Sequence, residues 1–144
     1  PFQFSLHIHA DLNSAPQHKE YLHSDASDPR RAIAEKLVEW IPESDGIVVA
    51  YNSSFEEGVL RKLAGLFPDL ADRLCTIADR LVDPHPAIKK NVYFKEFRGG
   101  FSIKDVAPVL LGPEWDYARL EVGDGKAAQV GPWTFSFVDS FSAV

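Results

Sequence analysis

The sequence predicts an α/β domain, and three observations support this fold class. Polar and apolar residues alternate along residues 2–9, which is the period of a half-buried β-strand. An apolar, β-branched run at residues 47–50 is typical of a strand that is covered on both faces. Apolar residues recur at helical spacing on both sides of that run. The resulting order of hairpin, helix, strand and helix is that of an α/β protein.

The N-terminal part of the chain predicts a hairpin and then a helix. Turn-forming residues occupy positions 11–16, and residues 19–23 would form the shorter partner of the first strand. Asp28 then has the side chain of a helix N-cap, and Pro29 suits the first helical position. We expect this helix to end near Pro42. The residues of its apolar stripe are Ile33, Leu37, Trp40 and Ile41.

Two further helices and a long loop are predicted after the central strand. Residues 83–101 contain prolines and paired glycines without a long periodicity, so we predict an extended loop there. Ser102 is placed to cap a short helix that ends near Leu111, and Pro108 would interrupt or kink this helix. The stripe of the second helix is Phe55, Val59, Leu63 and Phe67, and that of the third is Leu70, Leu74, Ile77 and Leu81.

Composition excludes several classes of protein. A chain of 144 residues with 45% hydrophobic content can bury one core, so we expect one domain over residues 1–144. No apolar run approaches the roughly 20 residues that cross a bilayer, so we expect a cytoplasmic protein without a membrane partner. The net charge of −6 argues against nucleic-acid binding by electrostatics alone. The single cysteine, Cys75, is expected in the core.

The junction between the central strand and the second helix is the first candidate site. Asn52 and two serines follow the strand, and Glu56 and Glu57 lie in the first helical turn. The three-residue spacing between the serines and these glutamates is that of a capping box, which would give the acids a structural role. Alternatively, Glu56 stands at the end of a strand to bind a divalent metal ion, because Mg²⁺ prefers oxygen ligands.

The pattern Tyr51-Asn52-x-x-Phe55-Glu56 resembles the second motif of the DEDD-type 3′–5′ exonucleases of the ribonuclease H-like fold, with glutamate in place of aspartate. The run from residue 1 to about residue 129 resembles the bacterial family called domain of unknown function 2779. The resemblance implies a ribonuclease H-like fold with a mixed central β-sheet flanked by helices. It also implies a metal-dependent 3′–5′ exonuclease that hydrolyses phosphodiester bonds in DNA or RNA. The matching blocks are residues 1–7, 28–31, 51–56, 66–70, 101–104 and 123–127.

This resemblance implies three sources of catalytic metal ligands. Glu56 corresponds to the acid after the central strand, and Asp124 corresponds to a late aspartate whose alternative is a Gly-Asp-Gly turn. The family's first-strand Asp-x-Glu would lie upstream of residue 1, so we expect a fragment of a longer protein. Alternatively, Asp139 in the segment 133–142 takes that role in a permuted arrangement. Glu56, Asp124 and Asp139 would then bind Mg²⁺ or Mn²⁺ for two-metal hydrolysis.

One departure from the resembled exonucleases weakens the expectation of catalysis. Their general base is a His or Tyr that precedes the late aspartate, but Arg119 and Leu120 stand at those positions, with Tyr117 nearby. Two alternatives follow from this departure. The chain is a degenerate nuclease-fold module that binds nucleic acid or a partner protein, or it is a structural module among the other domains of a larger nuclease.

Basic and aromatic residues interleave in the predicted loop. Such a segment can stack bases and neutralise the phosphates of single-stranded DNA or RNA. The alternative is a loop whose aromatic rings pack on the core while its lysines face water. The candidate nucleic-acid contacts are Lys89, Lys90, Tyr93, Lys95 and Arg98, together with Asn52.

Four further polar residues are not expected to belong to a site. Asp79 and Asp83 follow the third helix, where proteins of the resembled superfamily often carry a further aspartate that supports the site, but we predict that both are solvated charges at the helix end. His7 and His9 share one face of the first strand, but no third nitrogen or sulfur ligand has suitable spacing for a metal.

Overall fold

The computed structural model describes residues 2–11, 13–116 and 136–138, and the architecture of these residues is mixed α/β, as predicted. The strands are β1 (Gln3–Ile8), β2 (Gln17–Leu22), β3 (Val48–Val49), β4 (Leu81–Val82) and β5 (Ser136–Val138). The helices are α1 (Pro29–Trp40), α2 (Ser54–Leu66), α3 (Ala71–Asp79), α4 (Pro84–Asn91) and α5 (Ile103–Leu110). Short 3₁₀ helices span Lys95–Phe97 and Pro113–Trp115. Within the described ranges, no helix has the length and apolar character that a membrane span requires.

The five strands form one sheet in the order β2-β1-β5-β3-β4. β1 and β2 are antiparallel, with Gln3 opposite Leu22 and Ile8 opposite Gln17, so the predicted hairpin is confirmed. β5 runs parallel to β1 and antiparallel to β3. β3 and β4 are parallel neighbours. Their C-terminal ends therefore lie at one edge of the sheet, where the residues that follow each strand come together.

The hydrophobic core lies between β1, β3 and the helices α1, α2 and α3. Asp28 is the N-cap of α1 and accepts a hydrogen bond from the backbone N–H of Arg30 at 3.0 Å, as predicted. The alternation along β1 places Phe4 and Leu6 in the core, but Gln3 and Ser5 are also buried, so the expectation of one solvent-facing side is wrong at these positions. The helical core residues are Ile33, Ala34, Leu37, Leu60, Leu63, Ala64, Leu74, Ile77 and Ala78.

Two details of the predicted helices are wrong. Phe55 is 53% exposed. The buried residues of α2 are Leu60, Leu63 and Ala64, so the first turn of the helix, which contains Phe55, lies outside the core. Leu81 does not belong to α3, which ends at Asp79, but lies in β4 and pairs with β3. Short apolar runs of this kind satisfy both the helical and the strand period.

The predicted extended loop at residues 83–101 is also wrong, because α4 occupies its first half. Asp83 caps this helix by accepting a hydrogen bond from the backbone N–H of His85 at 2.9 Å, and Pro84 takes the first helical position. The next predicted helix is confirmed as α5, with Ser102 at its N-cap position and Pro108 inside it.

Candidate functional site

The chain leaves β3 through a tight turn at Asn52. This residue has a φ of 59°, a left-handed conformation that asparagine tolerates better than most side chains. Its backbone N–H donates to Asp83 Oδ1 at 2.8 Å, and the N–H of Ser53 donates to Asp83 Oδ2 at 3.1 Å. The turn into α2 is therefore held by an acid that follows β4.

Asp83 joins the ends of the two parallel strands. Its carboxylate accepts backbone hydrogen bonds from Asn52, Ser53 and His85, and so connects the start of α2 with the start of α4. The prediction of a solvated helix-end charge is wrong for Asp83, because the pairing of β3 with β4 brings these N–H groups to it. The same prediction is confirmed for Asp79, whose exposed carboxylate pairs with Arg61 at 3.0 Å.

Glu56 lies in the first turn of α2 and has a carboxylate oxygen without a hydrogen-bond partner among the described residues. Its Oε2 is buried, and no described residue makes a hydrogen bond to it. A capping box would need the Ser53 N–H to donate to Glu56, but that N–H donates to Asp83, and the Ser53 side chain makes no capping hydrogen bond. Glu57 differs because it pairs with Arg61 at 2.9 Å. The capping interpretation therefore does not account for Glu56.

Negative charge accumulates around this turn. Burial raises the pKa of Glu56, the negative charge of Asp83 raises it further, and a hydrogen bond from its own backbone N–H opposes the shift. Burial also raises the pKa of Tyr51, as do the charges of Asp83 and Asp105. A cation or a proton bound here would relieve the repulsion between these groups.

Of the three predicted metal ligands, the described residues include Glu56 alone. Among residues 2–11, 13–116 and 136–138, no group of three or more His, Cys, Asp or Glu side chains is arranged to bind a metal ion. Glu56 fits a metal ligand because its buried oxygen lacks another partner. Asp124 and Asp139, the other two predicted ligands, lie outside the described residues, as does Tyr117.

A groove adjoins the turn and contains two of the predicted nucleic-acid contacts. It has a volume of about 570 Å³ and lies between the end of β3, the helix α4 and the start of α5. Asn52 and Lys89 both line it, whereas Lys90, Tyr93, Lys95 and Arg98 do not. Its described lining residues are Tyr51, Asn52, His85, Lys89, Gly99, Phe101, Ser102 and Ile103.

The aromatic residues beyond α4 divide between the two predicted roles. Phe97 is buried and makes edge contacts with Phe94 and Phe101, at ring-centroid distances of 5.5 and 5.7 Å. Tyr93 is 75% exposed, and Lys95 faces water beside Glu96. Phe97 therefore anchors the segment to the rest of the protein, while Tyr93 stays accessible to a ligand.

Three residues around the turn and the groove are not predicted as site residues by any of the sequence patterns: Asp83, Tyr51 and His85. The signal for Asp83 was present, because Asp83-Pro84 repeats the Asp28-Pro29 pair that was correctly interpreted as a helix start. Tyr51 and His85 both line the groove, and their rings are in edge contact at a centroid distance of 5.3 Å. No local pattern in the sequence indicates that contact.

The raised pKa of Glu56 predicts how stability depends on pH. The folded state binds a proton more tightly than the unfolded state, so stability falls as pH rises from the ordinary value of 4.5 through the higher folded-state pKa. Glu56→Gln should remove this contribution. Urea denaturation of both metal-free proteins between about pH 4 and pH 8 would measure it. A stability difference between the two proteins that stayed constant over that range would contradict the prediction.

Comparison with known proteins identifies one family. The sequence profile of a family described as "Domain of unknown function (DUF2779)" matches residues 1–102. This match covers the hairpin, the helices α1 to α4, the turn at Asn52 and most of the groove. Neither the curated proteins nor the solved structures contain a significant match to the chain.

Proposed function

The chain belongs to the family described as Domain of unknown function (DUF2779), and from this premise we propose that it is a metal-dependent 3′–5′ exonuclease of ribonuclease H-like fold. The observation that carries the proposal is the buried Oε2 of Glu56, which has no hydrogen-bond partner among the described residues. A buried carboxylate oxygen without a partner costs free energy, and a bound cation would offset that cost. The expected substrate is single-stranded DNA or RNA in the bacterial cytoplasm.

The proposed metal is Mg²⁺ or Mn²⁺, held by Glu56 with Asp124 and Asp139. Such a metal supplies a bound water for attack on phosphorus and stabilises the charge that develops on the phosphoryl oxygens. Asp83 would act as a positioning residue, because its two oxygens hold the backbone of Asn52 and Ser53 at the start of α2. The rigid turn would keep the Glu56 carboxylate at one place relative to the ends of β3 and β4.

Contacts to the nucleic acid would be made on the side of the site where Asn52 and Lys89 line the groove. This surface would continue along the bound nucleic acid through Lys90, Tyr93, Lys95 and Arg98. The described residues provide no carboxylate partner for Lys89 or Lys90, whereas Arg31, Arg61 and Arg73 are each paired with acids. Lysines without paired acids are available to phosphate groups.

The proposal is tested by degradation of end-labelled single-stranded DNA and RNA. With Mn²⁺ present, the protein should shorten strands labelled at the 5′ end by single nucleotides, because a 3′–5′ exonuclease removes residues from the unlabelled end. EDTA should stop the reaction. Release of the 5′ label as the first product, or a rate that is unchanged by EDTA, would contradict the proposal.

A second function is favoured by the departure from the exonuclease pattern at the general base, where Arg119 and Leu120 stand in place of a His or Tyr. In that case, the chain binds nucleic acid or a partner protein without cleaving it. Strands would then remain intact with Mn²⁺ while binding to the folded protein, and the affinity would fall as salt concentration rises. Neutralising Lys89 and Lys90 together should reduce the steepness of that salt dependence.

A further inference from the structure

We propose that the groove between β3, α4 and the start of α5 binds a single nucleotide, with its base among the aromatic rings and its phosphate at Lys89. The proposed nuclease function suggests the choice of ligand, and the inference rests on it in that respect. The groove itself is assigned from its size, its lining and its charge.

The size and walls of the groove suit a small, partly polar ligand. Its volume of about 570 Å³ lies within the range of 300–1,000 Å³ that is usual for small-molecule sites. The Tyr51 hydroxyl donates to the carbonyl oxygen of Phe101 at 2.6 Å, which fixes the end of β3 to the opposite wall. Gly99 has a φ of 80°, a left-handed conformation that favours glycine, and it exposes only backbone to the groove at that point.

Aromatic rings occur on two sides of the groove. The ring of His85 is in edge contact with that of Tyr51, and the ring of Phe101 is in edge contact with that of the buried Phe97. Rings that are held in place by such contacts lose little freedom when a base stacks on them. Stacking of this kind tolerates any base, because every base has a π-face.

The described residues that line the groove include one cationic side chain, that of Lys89, although the protein as a whole is acidic. The net charge of the chain is −6, but no Asp or Glu is among the described residues that line the groove. Lys89 lies one helical turn after His85 on the same face of α4. Asp83 and Asp105 lie close enough to act on Tyr51 electrostatically, but their oxygens are held by local hydrogen bonds, from backbone N–H groups to Asp83 and from the Ser102 hydroxyl to Asp105 at 2.6 Å. Among the described lining residues, Lys89 is the cation that a phosphate in the groove would contact.

The experiment compares the binding of adenosine 5′-monophosphate, adenosine and inorganic phosphate to the metal-free protein in EDTA. Saturation-transfer NMR and calorimetry would report affinity without any cleavage. Lys89→Ala should lower the affinity for the monophosphate by about tenfold and change the affinity for adenosine by no more than about twofold, because only the phosphate contact is lost. His85→Ala should lower the affinities for adenosine and for the monophosphate by about fivefold or more, because base stacking is lost. Lys62→Ala, an exposed lysine of α2 away from the groove, is the charge-matched control and should change neither affinity.

Three results would overturn the nucleotide site. These are no saturable binding of the monophosphate, equal weakening by Lys89→Ala and Lys62→Ala, or inorganic phosphate binding as tightly as the monophosphate. Because the assay contains no metal, its outcome is independent of cleavage. A protein that binds the nucleotide but never degrades a strand would overturn only the proposed nuclease. If the protein were an active nuclease but its nucleotide affinity did not change in Lys89→Ala and His85→Ala, only the assignment of the nucleotide site to the groove would be wrong.

Discussion

Glu56→Gln is expected to abolish metal-dependent strand degradation and at the same time to stabilise the folded protein. Glutamine preserves the size of the side chain but removes the charge that a divalent ion requires. The loss in the rate of cleavage should be at least about 100-fold, as for other groups that stabilise charge in the transition state. Manganese affinity, measured by calorimetry, should fall by about tenfold or more.

The gain in stability comes from the burial of the Glu56 carboxylate. Its Oε2 is buried without a described partner, and Asp83 repels it. Glutamine leaves a polar atom at this position but removes the charge, so the variant recovers only the part of the burial cost that the charge causes. A buried polar group without a hydrogen bond costs about 1–3 kcal/mol, and we expect a gain near the lower limit for this reason and because the side chain is only half-buried. Loss of activity combined with a rise in the free energy of unfolding is typical of a functional residue rather than a structural one.

Glu57→Gln is the matched control for this change. Glu57 is the next residue on the same helix, and its carboxylate pairs with Arg61 on the protein surface. Exposed pairs of this kind contribute about 0–1 kcal/mol, so the variant should be slightly less stable and fully active. If Glu56→Gln retained the cleavage rate of Glu57→Gln, or if it lost stability as a capping residue would, the assignment of Glu56 to the site would be wrong.

Asp83→Ala should give the largest loss of stability among the site variants. The change leaves the backbone N–H groups of Asn52, Ser53 and His85 without their acceptor. Removal of a helix N-cap alone costs about 0.5–2 kcal/mol, and each further unsatisfied N–H adds to it, so we expect a total near 2–3 kcal/mol. Urea denaturation would measure the change in the free energy of unfolding.

Asp83→Asn separates the positioning role of this residue from its charge. The amide oxygen can replace Oδ1, which accepts from Asn52 and His85, but the amide nitrogen cannot replace Oδ2, which accepts from Ser53. We therefore expect a loss of about 1 kcal/mol. Asp79→Ala removes an exposed, ion-paired aspartate and should change stability by no more than about 0.5 kcal/mol. If Asp83→Ala and Asp79→Ala lowered the free energy of unfolding equally, the three backbone hydrogen bonds to Asp83 would contribute nothing to stability.

The comparison of α1 with α4 shows which helices a sequence can indicate. Both helices begin with an Asp-Pro pair in which the aspartate caps the helix. α1 was predicted correctly because Ile33 and Leu37 are buried and impose a helical apolar period. α4 has no buried residue, so no such period marks it, and its prolines were interpreted as loop residues. A helix that contributes nothing to the core is recognisable only by its cap.

The candidate site divides in the same way between local and long-range information. The α/β class, the hairpin, the cap of α1 and the position of Glu56 just after a buried strand could be predicted from local patterns, because each depends on residues that are near one another in the chain. The role of Asp83 in holding this turn could not, since it depends on the parallel pairing of β3 with β4, which brings their C-terminal ends together. The tertiary structure also placed Tyr51, His85 and Lys89 around one groove. Contacts between residues far apart in sequence follow from strand pairing and helix packing, which no local period specifies.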